Sequence, residues 1–403
     1  MPEAPMEDLE RRRDARRRTR GIGAAAVAFV VAAFGAIVLY GAFHHPPETP
    51  RQTARSPNPR VGPPSPQAAK QSPPPASTLQ FIDPEHGWMV VHGHIVQTTD
   101  GGKTWSEQTG TSGAKLLQFV DATHGWAASE TELWRTTDGG SHWESLGDEV
   151  LTSFQFLTDK EGWAVEGGHE ESVGLLVKTD DGGKTWASQD LQANSVCFGD
   201  RSGWATGPSA GGVALQQTVD TGGDWTETTV PLPNADQVPY TATLSCSGNQ
   251  AWLVVTGDAG AGHVAYAVFR AEGSGEAKAV VQDGFTHPLG DQKGVFQSTD
   301  PQPGPFASVG GSNGKFVTWC PPCGPTSAIN LTEDAGTSWE RSEFPQSAQD
   351  EPVGLSFIDE NQGWAAFSAV LPNAGGQTSN VFLFATSDGG KTWSQRGVYR
   401  SAP

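Results

Sequence analysis

The sequence predicts an all-β fold: a seven-bladed β-propeller of four-stranded antiparallel blades, preceded by one N-terminal transmembrane helix and a Pro-rich linker. Three observations predict it. Fourteen tryptophans and fifty glycines are both high counts for 403 residues, which suits many short strands joined by tight turns with regularly placed aromatic packing. Two Trp-containing elements alternate along the chain with a period of about 40 residues, the length of one propeller blade. An uncharged run, 21–43, follows a cluster of arginines.

The N-terminal elements come first. Arg11, Arg12, Arg13, Arg16, Arg17, Arg18 and Arg20 lie on one side of the run 21–43. About 20 apolar residues span the hydrocarbon core as a helix, and basic flanks stay cytoplasmic. The sequence therefore predicts a cytoplasmic tail, 1–20, a retained membrane helix, 21–43, and export of everything after it. A cleaved signal peptide would have a shorter apolar core and a small-x-small cleavage site. This run ends instead in Tyr40-Gly41-Ala42-Phe43-His44. Residues 44–77 hold eleven prolines and almost no apolar side chains, so they are expected to form a disordered, extended linker.

From 78 to 403 the repeats take over. One element is a turn followed by Trp, as in His86-Gly87-Trp88, His124-Gly125-Trp126, Glu161-Gly162-Trp163, Ser202-Gly203-Trp204, Gln250-Ala251-Trp252 and Gln362-Gly363-Trp364. Seven residues before most of these Trp lies a core position: Phe81, Phe119, Phe156, Cys197 and Phe357. The other element is Ser/Thr-x-Asp-x-Gly-x-x-Trp, with Asp100 and Trp105, Asp138 and Trp143, Asp181 and Trp186, Asp220 and Trp225, Asp334 and Trp339, and Asp388 and Trp393. Its Asp is suited to accept local backbone N–H bonds, its Gly to positive φ, and its Trp to pack inward at the start of a strand. The blades are expected at 78–110, 114–147, 150–191, 194–232, 240–282, 305–345 and 352–400. The fifth has lost its Asp element, and the sixth replaces the Gly-Trp turn with a hairpin turn at Asn313-Gly314. Blade one supplies its own first strand and blade seven its own last, so no strand exchange between the termini is expected.

These elements resemble the BNR/Asp-box repeats of the sialidase-like propeller superfamily. The paired Gly-Trp and Asp-Gly-Gly-Lys-Thr-Trp units are most similar to the photosystem II stability/assembly factor family. That resemblance covers about 78–400. It implies a seven-bladed propeller and, in photosynthetic members, assembly of a membrane complex through a basic Arg patch. This chain departs from the patch: its propeller Arg are Arg135, Arg201, Arg270, Arg341, Arg396 and Arg400. The resemblance also raises a sialidase-like glycosidase or carbohydrate-binding protein as an alternative. Such enzymes use an Arg triad, a Tyr–Glu nucleophile and an acid Asp. The early Phe/Tyr-Arg-Ile-Pro motif is missing, and the propeller tyrosines are Tyr240, Tyr266 and Tyr399. No catalytic residue, cofactor or metal site is assigned.

Charge narrows the partners. The first 20 residues hold seven Arg and five acids; subtracting them leaves 19 basic and 40 acidic residues, a net charge of −21 for 21–403. So acidic a domain does not bind nucleic acid through its phosphates. Cys197 and Cys246 occupy neighbouring blades, as core residues or as a disulfide across them. Cys320 and Cys323 form a CxxC that reads as a local disulfide. His92 and His94 read as exposed hairpin residues, and His86 and His124 as surface turn residues.

The function is expected on one face. In a four-stranded meander the first and third turns share a face, as do the second turns and the blade connections. The first face here repeats its residue types. The second varies, with long loops at 166–173, 207–212, 257–263, 320–326 and 370–380 and an insertion at 283–304. Insertions confined to one face mark a binding side. The acids expected there are Glu166, Glu170, Glu171, Asp258, Asp283 and Asp291. The sequence therefore predicts a membrane-anchored, extracytoplasmic, non-catalytic scaffold for a protein client that is basic and membrane-associated, with a glycan as the weaker alternative.

Overall fold

A computed structural model describes residues 79–168, 173–199, 202–232, 240–260, 263–283, 296–297, 302–320, 327–345, 351–370 and 379–400, all within the unit Gln71–Pro403. The expected tail, membrane helix and linker lie outside these residues, as do Glu170, Glu171, Asp291 and Cys323.

The described residues form seven antiparallel sheets of successive strands and contain no helix. The blades span Leu79 to Glu107, Leu116 to Gly147, Leu151 to Ala193, Ser195 to Pro231, Thr241 to Asp283, Gln302 to Glu343 and Glu351 to Arg400. Blade five carries one unexpected element: Phe296–Gln297 pairs parallel with Lys278–Asp283, so part of the 283–304 insertion is a fifth strand.

An aromatic sandwich repeated around the ring holds neighbouring blades together. Phe119 of blade two stacks on Trp88 of blade one, with centroids 3.7 Å apart, and its edge meets its own blade's Trp143 at 5.9 Å. Phe156 lies in the same way between Trp126 and Trp186. Phe198 lies between Trp163 and Trp225. Each pair adds about 0.5–1.5 kcal/mol beyond the area it buries. The Gly before every inner Trp but Trp252 makes room for the Phe ring of its own blade. A Cβ on Gly125 would stand 2.5 Å from Phe119. The inner Trp are fully buried, whereas Asp-box Trp other than Trp393 keep a partly exposed edge. Every Asp-box Trp is thus mostly buried, as the inward packing expected of it requires.

The ring closes without strand exchange. Leu79–Phe81 pairs only within blade one, and Ser394–Arg400 only within blade seven. Phe81 stacks on Trp364 at 4.0 Å, and its amide donates to Ser356 Oγ at 2.9 Å.

That last contact belongs to a second ring of joints, nearer the axis, made by the residue before each core Phe. Gln80 brackets the backbone of Phe119, donating to its carbonyl at 2.8 Å and accepting from its amide at 2.7 Å. Gln118 does the same to Phe156 and Gln155 to Phe198. Each first strand has an unpaired edge, and this side-chain amide satisfies it as a neighbouring strand would. Cys197 stands in this Gln position, opposite Trp204, and not in the Phe position expected for it. The first turn of blade four, 199–202, is shorter than 120–124 or 157–161, which moves the register by one residue. Phe198 fills the core position, and Cys197 joins Cys246 of blade five in a disulfide with Cα atoms 5.8 Å apart.

Blade six departs from the repeat in another way. Its first turn is 310–312, with Gly310 and Gly311 at φ 62° and 78°, and Asn313 and Gly314 already pair in strands. The expected Asn313-Gly314 turn is therefore corrected. The place of the inner Trp falls to Lys315. Its side chain is buried, its Nζ lies 4.8 Å from the Phe357 ring, and it donates to Gly389 O at 2.7 Å. Trp88 and Trp126 donate to the matching carbonyls of Gly139 and Gly182. Burial holds the Lys315 ammonium below its usual range.

Candidate functional site: two unequal faces

The first face is a scaffold built from self-satisfied turns. In blade one, Asp100 Oδ1 accepts from the amides of Lys103 and Thr104 at 3.0 and 2.9 Å, and Oδ2 from the Thr104 hydroxyl at 2.6 Å. Thr98 Oγ1 donates to Asp100 Oδ1 and accepts from Gly102 N. Gly101 and Gly102 take φ of 74° and 88°, a left-handed pair that glycine adopts without strain. Asp138, Asp181, Asp220, Asp334 and Asp388 repeat the bond from the amide four residues on. Slight burial works against ionisation of Asp100, but the hydrogen bonds from Thr104, Thr98 and Lys103 outweigh it and hold its pKa at about 2. Asp388 is held at about 2 by the same balance. At Asp138 the His142 ring bond is the largest influence and the value is again about 2. These carboxylates are committed to their own turns.

The first turns are capped similarly. Asp83 Oδ1 accepts from the amides of Glu85 and His86, and His86 Nδ1 meets Asp83 Oδ2 at 2.8 Å. Asp121 holds Thr123 and His124 in the same way. His86 and His124, read from sequence as plain surface residues, are therefore partners in the turn caps. The two kinds of turn also bond to each other: Gly101 N donates to Glu85 O, Gly139 N to Thr123 O and Gly182 N to Lys160 O. Even blade five, without its Asp, keeps this bond from Gly273 N to Asn249 O.

The second face is irregular. The third turns, 99–105, 137–143, 180–186, 219–225, 333–339 and 387–393, are seven residues each, whereas the second turns range from 92–93 to 371–378. Glu166 is partly exposed at the end of a strand there. Asp258 and Asp283 fall at strand ends of blade five whose side chains lie outside the described residues. The expected acidic cluster is thus represented by Glu166 alone. His92 sits in a turn at φ 50°, and His94 Nδ1 lies 2.8 Å from Glu107. Among the described residues no group of three or more His, Cys, Asp or Glu side chains could hold a metal ion. Cys320 is disulfide-bonded.

Where blade seven meets blade one, this face holds a cavity of about 60 Å³ that nothing in the repeat pattern signals. Val90, Val91, Ala114, Val353 and Val381 wall it, and Glu351 lines it. Glu351 is half-buried, and that burial pushes its pKa above the usual carboxylate range. Tyr266 is fully buried. Tyr399 meets Glu107 on the outer strands, and partial burial followed by that carboxylate raises the phenol pKa, so it stays protonated.

Fold and turns together define a seven-bladed Asp-box propeller. No family model and no curated protein matches the chain. Among solved structures, an ancestral GH74 enzyme is 12% identical, covering 79% of this chain and 54% of its own, with a TM-score of 0.51. YCF48 bound to D1 peptide is 18% identical, covering 72% of this chain and 91% of its own, with a TM-score of 0.45. YCF48 from Cyanidioschyzon merolae is 16% identical, covering 61% and 85%, with a TM-score of 0.35. The chain spans about half the length of that GH74 enzyme, and the likeness is one of fold.

Proposed function

We propose that this chain is a membrane-anchored, extracytoplasmic scaffold that docks a protein client on its irregular face and catalyses no reaction. The inequality of the two faces carries this reading. One face commits its polar groups to capped turns, and its six Asp-box turns are seven residues each, which makes a rigid frame. The other varies in loop length and chemistry from blade to blade, as a surface for one partner needs. The arginine cluster before 21–43 supports an anchor with the propeller outside. The Cys197–Cys246 disulfide suits an oxidising compartment. The net charge of −21 for 21–403 favours a basic partner.

The test places a photo-crosslinking residue in the full chain, at Glu166 or Ala210 on the irregular face and at Thr123 on the turn face. A reproducible protein adduct from the first two positions alone is expected. Adducts from Thr123 alone would move the site to the turn face. Retention of the chain on polysaccharides with no protein adduct would favour the glycan alternative.

A further inference from the structure

We propose that the cavity between blades seven and one receives a single lysine or arginine side chain of a partner polypeptide, with Glu351 as its counter-charge. The inference rests on the docking-scaffold reading and names the chemistry of one contact within it.

The cavity is assembled from parts far apart in sequence. Glu351 opens the first strand of blade seven and pairs with Ser368 on the second. Val90 and Val91 end the second strand of blade one, and Ala114 follows its last strand. Apolar walls around one carboxylate suit a long cationic side chain, whose methylenes lie on the walls while its head meets the acid. The volume of about 60 Å³ admits the end of one side chain and excludes a folded element.

Glu351 itself asks for such a partner. Burial raises its pKa, and no hydrogen bond or charge from any described residue offsets that. A half-buried carboxylate left unpaired is costly, and an ammonium or guanidinium supplies both charge and donors. Two basic groups stand at the same cavity, Lys115 and His92. Lys115 is already engaged by Glu130. His92 is held in a two-residue turn at φ 50° and also has an interaction of its own. The acid balance of 21–403 favours a cationic group over an anionic one at this mouth.

The experiment titrates the full chain with three blocked tripeptides, Ac-Gly-Lys-Gly-NH2, Ac-Gly-Arg-Gly-NH2 and Ac-Gly-citrulline-Gly-NH2, and with ethanolamine. Binding is followed by ligand-observed NMR. The cationic tripeptides are expected to bind at least about tenfold more tightly than the neutral citrulline one, the size of a lost charge-assisted bond. Glu351→Gln should abolish that preference while leaving the thermal midpoint unchanged or higher, since it removes an unpaired buried charge. Ala114→Leu, which fills the cavity and keeps the acid, should weaken both cationic tripeptides by a similar factor. Equal binding of the citrulline peptide, or a preference that survives Glu351→Gln in folded protein, would overturn the proposal. Ethanolamine binding as tightly as the tripeptides would make this an adventitious ammonium site and overturn it too. Crosslinked client adducts that persist in Glu351→Gln at wild-type yield would overturn the pocket and leave the docking scaffold standing.

Discussion

The joints between blades one and four are copies of one another, while those from blade four round to blade seven are each made differently. In the first group a Gln side chain brackets the next blade's backbone and a Trp stacks on the next blade's Phe. Between blades four and five a disulfide takes the place of the Gln. Between five and six it is a pair of serines: Ser245 Oγ and Ser308 Oγ lie 2.9 Å apart, and Ser308 N donates to Ser245. Between six and seven the Gln position is Ala307, and Lys315 covers Phe357 in place of a Trp. What the ring requires is a contact at a fixed place between first strands. Amide, disulfide and hydroxyl each meet that requirement, and between blades six and seven Lys315 makes the joint from the second strand instead.

The comparison predicts different sensitivities. The largest belongs to the disulfide, which closes a loop with a sequence separation of 49. Loop-closure entropy puts its contribution at about 4 kcal/mol. Cys197→Ser with Cys246→Ser should lower stability by about that amount in denaturant titrations. Reduction should cost the wild type about that amount more than it costs the double variant, in which the Cys320 disulfide is the one left to reduce.

Next comes the regular joint. Gln118→Ala leaves the amide and carbonyl of Phe156 without their partner and should cost about 2 kcal/mol, read from the midpoint shift. If Gln118→Ala costs nothing while the disulfide variant costs several kcal/mol, the joints are not equivalent and the comparison breaks.

The smallest effect sharpens the argument in the opposite direction. Lys315→Trp would restore the stack on Phe357 and keep a donor for Gly389 O, while removing a buried charge. A gain of about 1 kcal/mol is expected, visible as a thermal midpoint raised by about 1–2 °C. A loss would show that blade six has reshaped its seam around the lysine.

The legibility of the chain follows the same division. Blades one to three were readable because each keeps a Gly-Trp turn, an Asp box and a core Phe in one register. The Gln joint was also present in the sequence, as the dipeptides at 80–81, 118–119 and 155–156, but a polar residue beside a core aromatic reads as solvent-facing until its neighbour blade is in place. Cys197 was misplaced because counting back from Trp204 assumes a turn of constant length. Lys315 was invisible because a charged residue signals exposure by composition, and only the seam shows its ring contact and carbonyl. The irregular face was legible as loop length alone. Glu351 gave no sign, since its cavity joins residues of blade seven to residues of blade one.

That distance has a consequence for how the molecule comes into being. The bond from Phe81 to Ser356 joins residues 275 apart in the chain. Synthesis proceeds from the N-terminus, so blade one is complete long before its second neighbour exists. Through that interval Phe81 lacks the ring of Trp364, and Leu79 lacks the wall it presses against at Gly354. With Leu79–Phe81 and Ser394–Arg400 each paired within its own blade, the first blade must wait whole, with an apolar flank open to solvent. The nascent chain therefore keeps blade one open to misassembly until blade seven emerges to cover it.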